Sequence, residues 1–117
     1  MPKIKRPKLT PEERQKIRQE IFSQLHTEEI HIGHAIRRLR LMFTGLNQKQ
    51  FGKIAGFSAT TISAIERDPE SGTLKTINQI LRKFGMHLTI GLIIRESEKK
   101  TANSGNYLPP EYDNDRL

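Results

Sequence analysis

Cysteine is missing altogether from this 117-residue chain, which excludes disulfides and thiolate metal sites and fits a reducing compartment. No apolar run approaches the ~20 residues needed to span a bilayer, so a membrane-spanning helix is excluded too. The basic start of the chain leads into a charged helix and not into an apolar segment, so no signal peptide is expected and the chain is read as cytoplasmic. Catalytic signatures are lacking: there is no phosphate-binding glycine loop, no Ser-His-Asp pattern with its context and no carboxylate pair in an apolar setting. His31 and His34 stand three apart with His26 a further turn back, yet no carboxylate or cysteine completes a ligand set. The expectation is a protein that is not an enzyme and holds neither metal nor cofactor.

Acid is the other scarce commodity, and its scarcity is uneven. Twenty basic residues against thirteen acidic give a formal charge of +7. Residues 1–96 hold 17 basic and 9 acidic side chains, a surplus of 8, whereas 97–117 hold 3 and 4, a deficit of 1. The part expected to fold is therefore the basic part, and a pI near 10.0 fits a polyanionic partner, nucleic acid before membrane. A chain of this length supports one domain plus tails, with a small core drawn from its 34% apolar residues.

The most informative stretch is Asn47–Arg67, NQKQFGKIAGFSATTISAIER. Phe51, Ile54 and Ala55 recur at helical spacing in its first half, and Ile62 and Ile65 in its second, so two short amphipathic helices are predicted. Gly56 stands where the first must stop, in the left-handed position of a helix C-cap, and Ser58 is a natural N-cap for the second. Gly52 costs roughly 1 kcal/mol against alanine inside a helix, which predicts another helix packed closely against it. Counting Gln48 as position one, apolar residues fall at positions four, fifteen and eighteen, a small residue at five and glycine at nine. This pattern resembles the DNA-binding helix-turn-helix of the phage-repressor family, whose second helix lies in the major groove. The resemblance extends upstream over IGHAIRRLR and downstream over LKTINQILRKFG, so that it covers Ile32–Gly85, about half of the chain.

The resemblance implies roles for particular residues. Base-reading positions of the family fall on Ala59, Thr60 and Ser63, within an exposed helix start that also presents Ser58 and Thr61. Their methyl and hydroxyl groups can meet a thymine methyl or a base-edge acceptor. None offers a bidentate grip, so part of the specificity is assigned to DNA shape. Gln48, Lys49, Lys53 and Arg67 are expected at phosphates, with Asn47 as the cap that orients the helix end. In the family an arginine of the first helix pairs with the glutamate that closes the recognition helix, here Arg40 with Glu66. This sequence has one residue more than the family between that arginine and the following glycine, Gly45.

Around the motif the chain divides into three parts. Residues 1–26 form a basic arm, MPKIKRPKL, and an accessory helix over Pro11–Leu25 that starts at the capping box Thr10–Glu13 with Pro11 at its first position. Ile17, Ile21, Phe22 and Leu25 follow on one side, a narrow apolar face expected to pack on the domain or on a second subunit. Residues 27–96 form the helix-turn-helix domain. Within it Thr27 is expected to cap a helix that buries Ile32, Ala35, Ile36, Leu39 and Met42 or Phe43, and Thr73 a helix that buries Leu74, Ile77, Ile80, Leu81 and Phe84 before Gly85. The segment His87–Ile94, HLTIGLII, is β-branched and apolar and is read as a strand. A lone strand leaves its backbone groups open, so its expected partner is its own copy in a second subunit, through His87, Leu88, Thr89, Ile90, Leu92 and Ile94. Residues 97–117 are polar and expected to be a disordered tail.

The expected architecture is thus all-α, about five helices with a C-terminal strand for dimerisation. A helix-turn-helix followed by one apolar strand and a tail resembles HipB-type antitoxins, which repress their own operon and hold a HipA-type kinase toxin. That resemblance implies a homodimer on an operator in double-stranded DNA, with a HipA-like kinase as protein partner. A plain dimeric repressor without a toxin, and an adaptor that never touches DNA, remain open alternatives.

Overall fold

The computed structural model describes residues 8–93. The expected tail and Ile94 lie outside them, as does the basic arm up to Pro7. Among the described residues the architecture is all-α, with five α-helices in the order α1 (Pro11–His26), α2 (Ile32–Leu39), α3 (Gln48–Ala55), α4 (Ala59–Arg67) and α5 (Leu74–Arg82).

Local chemistry sets most of the ends. α1 opens on a complete capping box: Thr10 Oγ1 accepts the Glu13 N–H at 3.1 Å and Glu13 Oε1 accepts the Thr10 N–H at 3.3 Å. Asn47, Ser58 and Thr73 cap α3, α4 and α5 in the same manner, each accepting the backbone N–H three residues on. α2 differs from expectation. Thr27 belongs to the end of α1, where its hydroxyl donates to Ser23 O at 3.1 Å. The cap of α2 is His31, whose Nδ1 accepts the His34 N–H at 3.1 Å, a role open to a neutral imidazole.

The core is one cluster. Ile21 of α1, Ala35, Ile36 and Leu39 of α2, Phe51 of α3, Ile62 and Ile65 of α4 and Ile77, Ile80 and Leu81 of α5 are all buried in it, with Phe84 beyond α5. Phe84 stacks on Phe51 at 5.5 Å between ring centroids and meets Phe43 edge-on at 5.6 Å, the two arrangements that aromatic quadrupoles favour. The accessory helix docks on this core through Ile21, with Ile17 and Leu25 half-buried beside it, while Phe22 stays 57% exposed. Leu74 and Ile54, both expected inside, are exposed as well, and of the pair Met42 and Phe43 it is Phe43 that packs inward.

Between α2 and α3 the helix continues for one wide π turn, Arg40–Thr44. The Gly45 N–H reaches back to Arg40 O and Leu41 O, both at 3.1 Å, and Gly45 takes φ 66°. A π turn holds one more residue than an α turn while keeping the helix direction. Arg40, the first residue of this turn, is buried on the core side.

Two glycines show where backbones approach. A Cβ on Gly33 would lie 2.4 Å from Glu66 O and 2.6 Å from Ile65 O, so α2 rests directly on the end of α4. A Cβ on Gly52 would lie 2.4 Å from Phe57 O. The crowding at Gly52 therefore comes from the turn that follows its own helix and not from a neighbouring helix, and the close helix-to-helix contact falls on Gly33. From Met86 to Ile93 the chain forms neither helix nor strand within the subunit. Leu88 is fastened by its N–H to Asn78 Oδ1 at 2.9 Å, whereas Ile90, Leu92 and Ile93 are exposed, Ile90 almost completely.

Candidate nucleic-acid interface

α3 and α4 are held at a fixed geometry from below. The turn between them closes where the N–H groups of Gly56 and Phe57 both reach Gly52 O at 2.8 Å, with Gly56 at φ 87°. Beneath the pair, Arg40 and Glu66 form a buried ion pair: Arg40 Nε donates to Glu66 Oε2 at 2.8 Å and Nη2 to Oε1 at 3.1 Å. Arg40 Nη1 also donates to Leu46 O at 2.7 Å, and Gln48 Nε2 donates to Glu66 Oε1 at 3.1 Å. One network thus ties the end of α2, the entry to α3 and the last turn of α4 together. No buried side-chain nitrogen or oxygen among the described residues lacks a partner, which is the condition for a buried charge pair to be tolerated.

The upper faces are different in kind. On α4, Ile62, Ile65 and Glu66 point inward, while Thr60 and Arg67 are exposed and Ala59, Thr61 and Ser63 half-exposed. Thr60, Ser63 and Arg67, spaced three and four apart, form one stripe. Ser58 and Thr61 are tied to each other: Ser58 Oγ accepts the Thr61 N–H at 3.1 Å and lies 3.0 Å from the Thr61 hydroxyl. These two therefore cap α4, and the hydroxyls left for a ligand are those of Thr60 and Ser63. On α3, Lys49 and Lys53 are exposed. Neither helix carries an exposed carboxylate, because their one acid, Glu66, is buried against Arg40. The surface is a row of small polar groups flanked by cations, with the positive end of the α4 dipole at Ser58.

Gln48 is only partly available, since one N–H of its amide is committed to Glu66 and the side chain is half-buried. Asn47 is exposed and serves as the expected cap, in a reciprocal arrangement with Gln50: Asn47 Oδ1 accepts the Gln50 N–H at 2.8 Å and Gln50 Oε1 the Asn47 N–H at 3.0 Å. Sequence reasoning passed over Gln50, although its place three residues after an asparagine N-cap is the signal for such a box. It also passed over Gly33, for which no local signal exists.

The residues expected at a dimer contact lie on another side. An apolar groove of about 960 Å³ runs between the end of α1, the start of α2, α5 and the segment after it, and Phe22, Ile30, Leu74, Ile77, Met86 and Leu88 contribute to its walls. His87, Leu88 and Thr89 line it too, with Ile90, Leu92 and Ile93 exposed at or beyond its edge. Among the described residues no group of three or more histidine, aspartate or glutamate side chains is arranged to hold a metal ion, and no helix is long and apolar enough to cross a membrane.

Comparison of the chain with protein-family models, with curated proteins and with solved structures finds no match. The case for a function therefore rests on geometry and on the spacing of Asn47–Arg67.

Proposed function

We propose that the chain is a dimeric, sequence-specific DNA-binding repressor of the cytoplasm that lays α4 in the major groove. The observation that carries this reading is the outward face of α3 and α4. It combines Thr60 and Ser63 at base-reading spacing, Lys49, Lys53 and Arg67 around them, and no exposed carboxylate on either helix. A helix with short polar side chains lets its backbone approach the groove floor closely, and the flanking cations supply the salt-dependent part of the affinity. The network of Arg40, Glu66, Gln48 and Leu46 holds the reading helix to its support, so that binding needs little reorganisation.

The second subunit in this reading covers the apolar groove. Ile90, Leu92 and Ile93, with Phe22 and Leu74, are large apolar side chains left exposed, the kind of surface that a partner covers. Pairing of residues 87–94 with their symmetry copy covers that surface and satisfies the open backbone groups of the segment. Such a dimer sets two α4 helices about one turn of DNA apart, ~34 Å. The resemblance to HipB-type antitoxins adds a HipA-like kinase toxin as protein partner and autoregulation of the shared operon as the biological role.

Selection of sites from a random duplex pool by the full chain, followed by titration of the enriched duplex, tests the reading. Enrichment of a two-fold symmetric site is the expected result. Binding of all duplexes alike, or of none at low salt, rejects it and leaves the adaptor. Co-purification of a kinase from the source cell separates the antitoxin from the plain repressor.

A further inference from the structure

A recess of about 440 Å³ lies on neither of these surfaces, between the first half of α1, the π turn, α3 and the end of α5. Its floor is apolar: Ile54 and part of Phe43 are open, with the buried Phe51 and Phe84 beneath them. Ile54 is 55% exposed although the helical spacing of α3 places it with the buried residues, so the recess leaves an apolar side chain uncovered. Its rim is cationic, formed by Arg14, Arg18 and Lys83, and no carboxylate lines it.

The three cations are not equivalent. Arg18 is half-buried and held in place, with Nη1 donating to Phe84 O at 3.3 Å, Nη2 and Nε donating to Gln15 Oε1 at 3.0 and 3.3 Å, and the guanidinium 5.8 Å from the centre of the Phe43 ring. Two of its five N–H donors remain, on a group whose orientation is already fixed. Arg14 and Lys83 are exposed, and neither has an ion-pair partner among the described residues. A fixed guanidinium over an aromatic floor, with two unpaired cations beside it, is matched by a ligand with a flat apolar body and a single negative end. A bare phosphate or a nucleic-acid backbone would leave the apolar floor without a partner, and a neutral hydrocarbon would leave the cations without one.

We propose that this recess binds a small aromatic monocarboxylate, its ring against Ile54 and the open part of Phe43 and its carboxylate on Arg18, with Arg14 and Lys83 adding charge. The occupant bridges α1 to the end of α5 and so fastens the accessory helix to the domain. Nothing in this assignment depends on what α4 binds.

The probe is 2-naphthoate, titrated into the full chain and followed by calorimetry and by ¹⁵N and methyl NMR, with 2-naphthamide and inorganic phosphate as controls. The expected result is a single site whose shifts centre on Ile54, Phe84 and Gly85, with naphthoate bound at least tenfold more tightly than the amide. Phosphate in equal concentration should not displace it. The paired variant Arg14→Gln with Lys83→Gln changes two exposed side chains and should weaken naphthoate at least fivefold while leaving the amide unaffected. Ile54→Glu, also at an exposed position, should abolish the site. Equal affinity for acid and amide, displacement by phosphate, shifts confined to other surfaces, or no binding at millimolar naphthoate overturns the proposal.

Discussion

Replacing Arg40 by methionine offers the sharpest test of how α4 is held. The side chains of Arg40 and Glu66 are 6% and 3% exposed, so each charge depends on the other. Methionine keeps much of the apolar stem but removes the two donors to Glu66 and the one to Leu46 O. Glu66 is left with Gln48 alone. Removing one partner of a buried ion pair costs about 3–5 kcal/mol, because the remaining charge stays desolvated. Against a total stability of roughly 5–15 kcal/mol this is a large fraction. At about 4–8 °C per kcal/mol for a domain of this size, the melting temperature should fall by some 12–40 °C. Urea unfolding followed by far-ultraviolet circular dichroism gives the free energy directly, with an unchanged m-value showing that the native state stays compact. The double variant Arg40→Met with Glu66→Leu supplies the control: without an orphaned carboxylate it should recover most of the loss, through a coupling of about 2 kcal/mol or more. A single variant that costs under about 1 kcal/mol, or a double variant no more stable than the single one, would refute the reasoning, since either means that Glu66 reaches water.

Other perturbations address the remaining features. Gly33→Ala forces a methyl against the carbonyls of Ile65 and Glu66 and should destabilise by about 1–3 kcal/mol, read as a lower urea midpoint. Thr60→Asp should abolish operator binding in a fluorescence titration while the circular dichroism spectrum stays unchanged, and equal binding by this variant would remove Thr60 from the interface. If six to ten phosphates are neutralised per dimer, affinity for operator should drop by about a thousandfold or more between 50 and 200 mM salt; a flat salt profile would count against phosphate contacts. Ile90→Pro takes a donor from the segment proposed to pair across the dimer, so sedimentation equilibrium should report monomer, and an unchanged dimer would shift the contact to Phe22 and α1.

How much could be read beforehand depended on how local the cause was. Thr10, Asn47, Ser58 and Thr73 were legible as caps because a cap is a bond to a backbone N–H only three residues away. Gly45, Gly56 and Gly85 were legible as helix ends for a similar reason, and all three take positive φ. Thr27 misled because a threonine also suits the end of a helix, where its hydroxyl donates back to the preceding turn. Phe22, Ile54 and Leu74 continue apolar stripes but are exposed, since a stripe marks one face of a helix without fixing how wide a part of it the core covers. The pairing of Arg40 with Glu66 spans 26 residues; it was legible only through the resemblance to the repressor family. Gly33 was invisible for the opposite reason, because its partner is a backbone carbonyl that any sequence would provide. On the candidate interface, Ser58 and Thr61 could be placed at the start of α4, but not their mutual hydrogen bond, which withdraws both hydroxyls into the cap.

The π turn at Arg40–Thr44 sets the phase between α2 and the entry to α3. An extra residue inside a regular helix rotates everything beyond it by about 100°, which here would swing Leu46 and the entry to α3 away from Arg40. With the wide turn, Arg40 stays on the Glu66 carboxylate, and Leu41 and Met42 within the turn are exposed. The turn thus sets the phase between two fixed points, Arg40 at its start and Leu46 just past its end, whose carbonyl accepts from Arg40 Nη1. A deletion within Arg40–Thr44 would therefore be felt at Glu66 and at the end of α4, although neither lies in the turn.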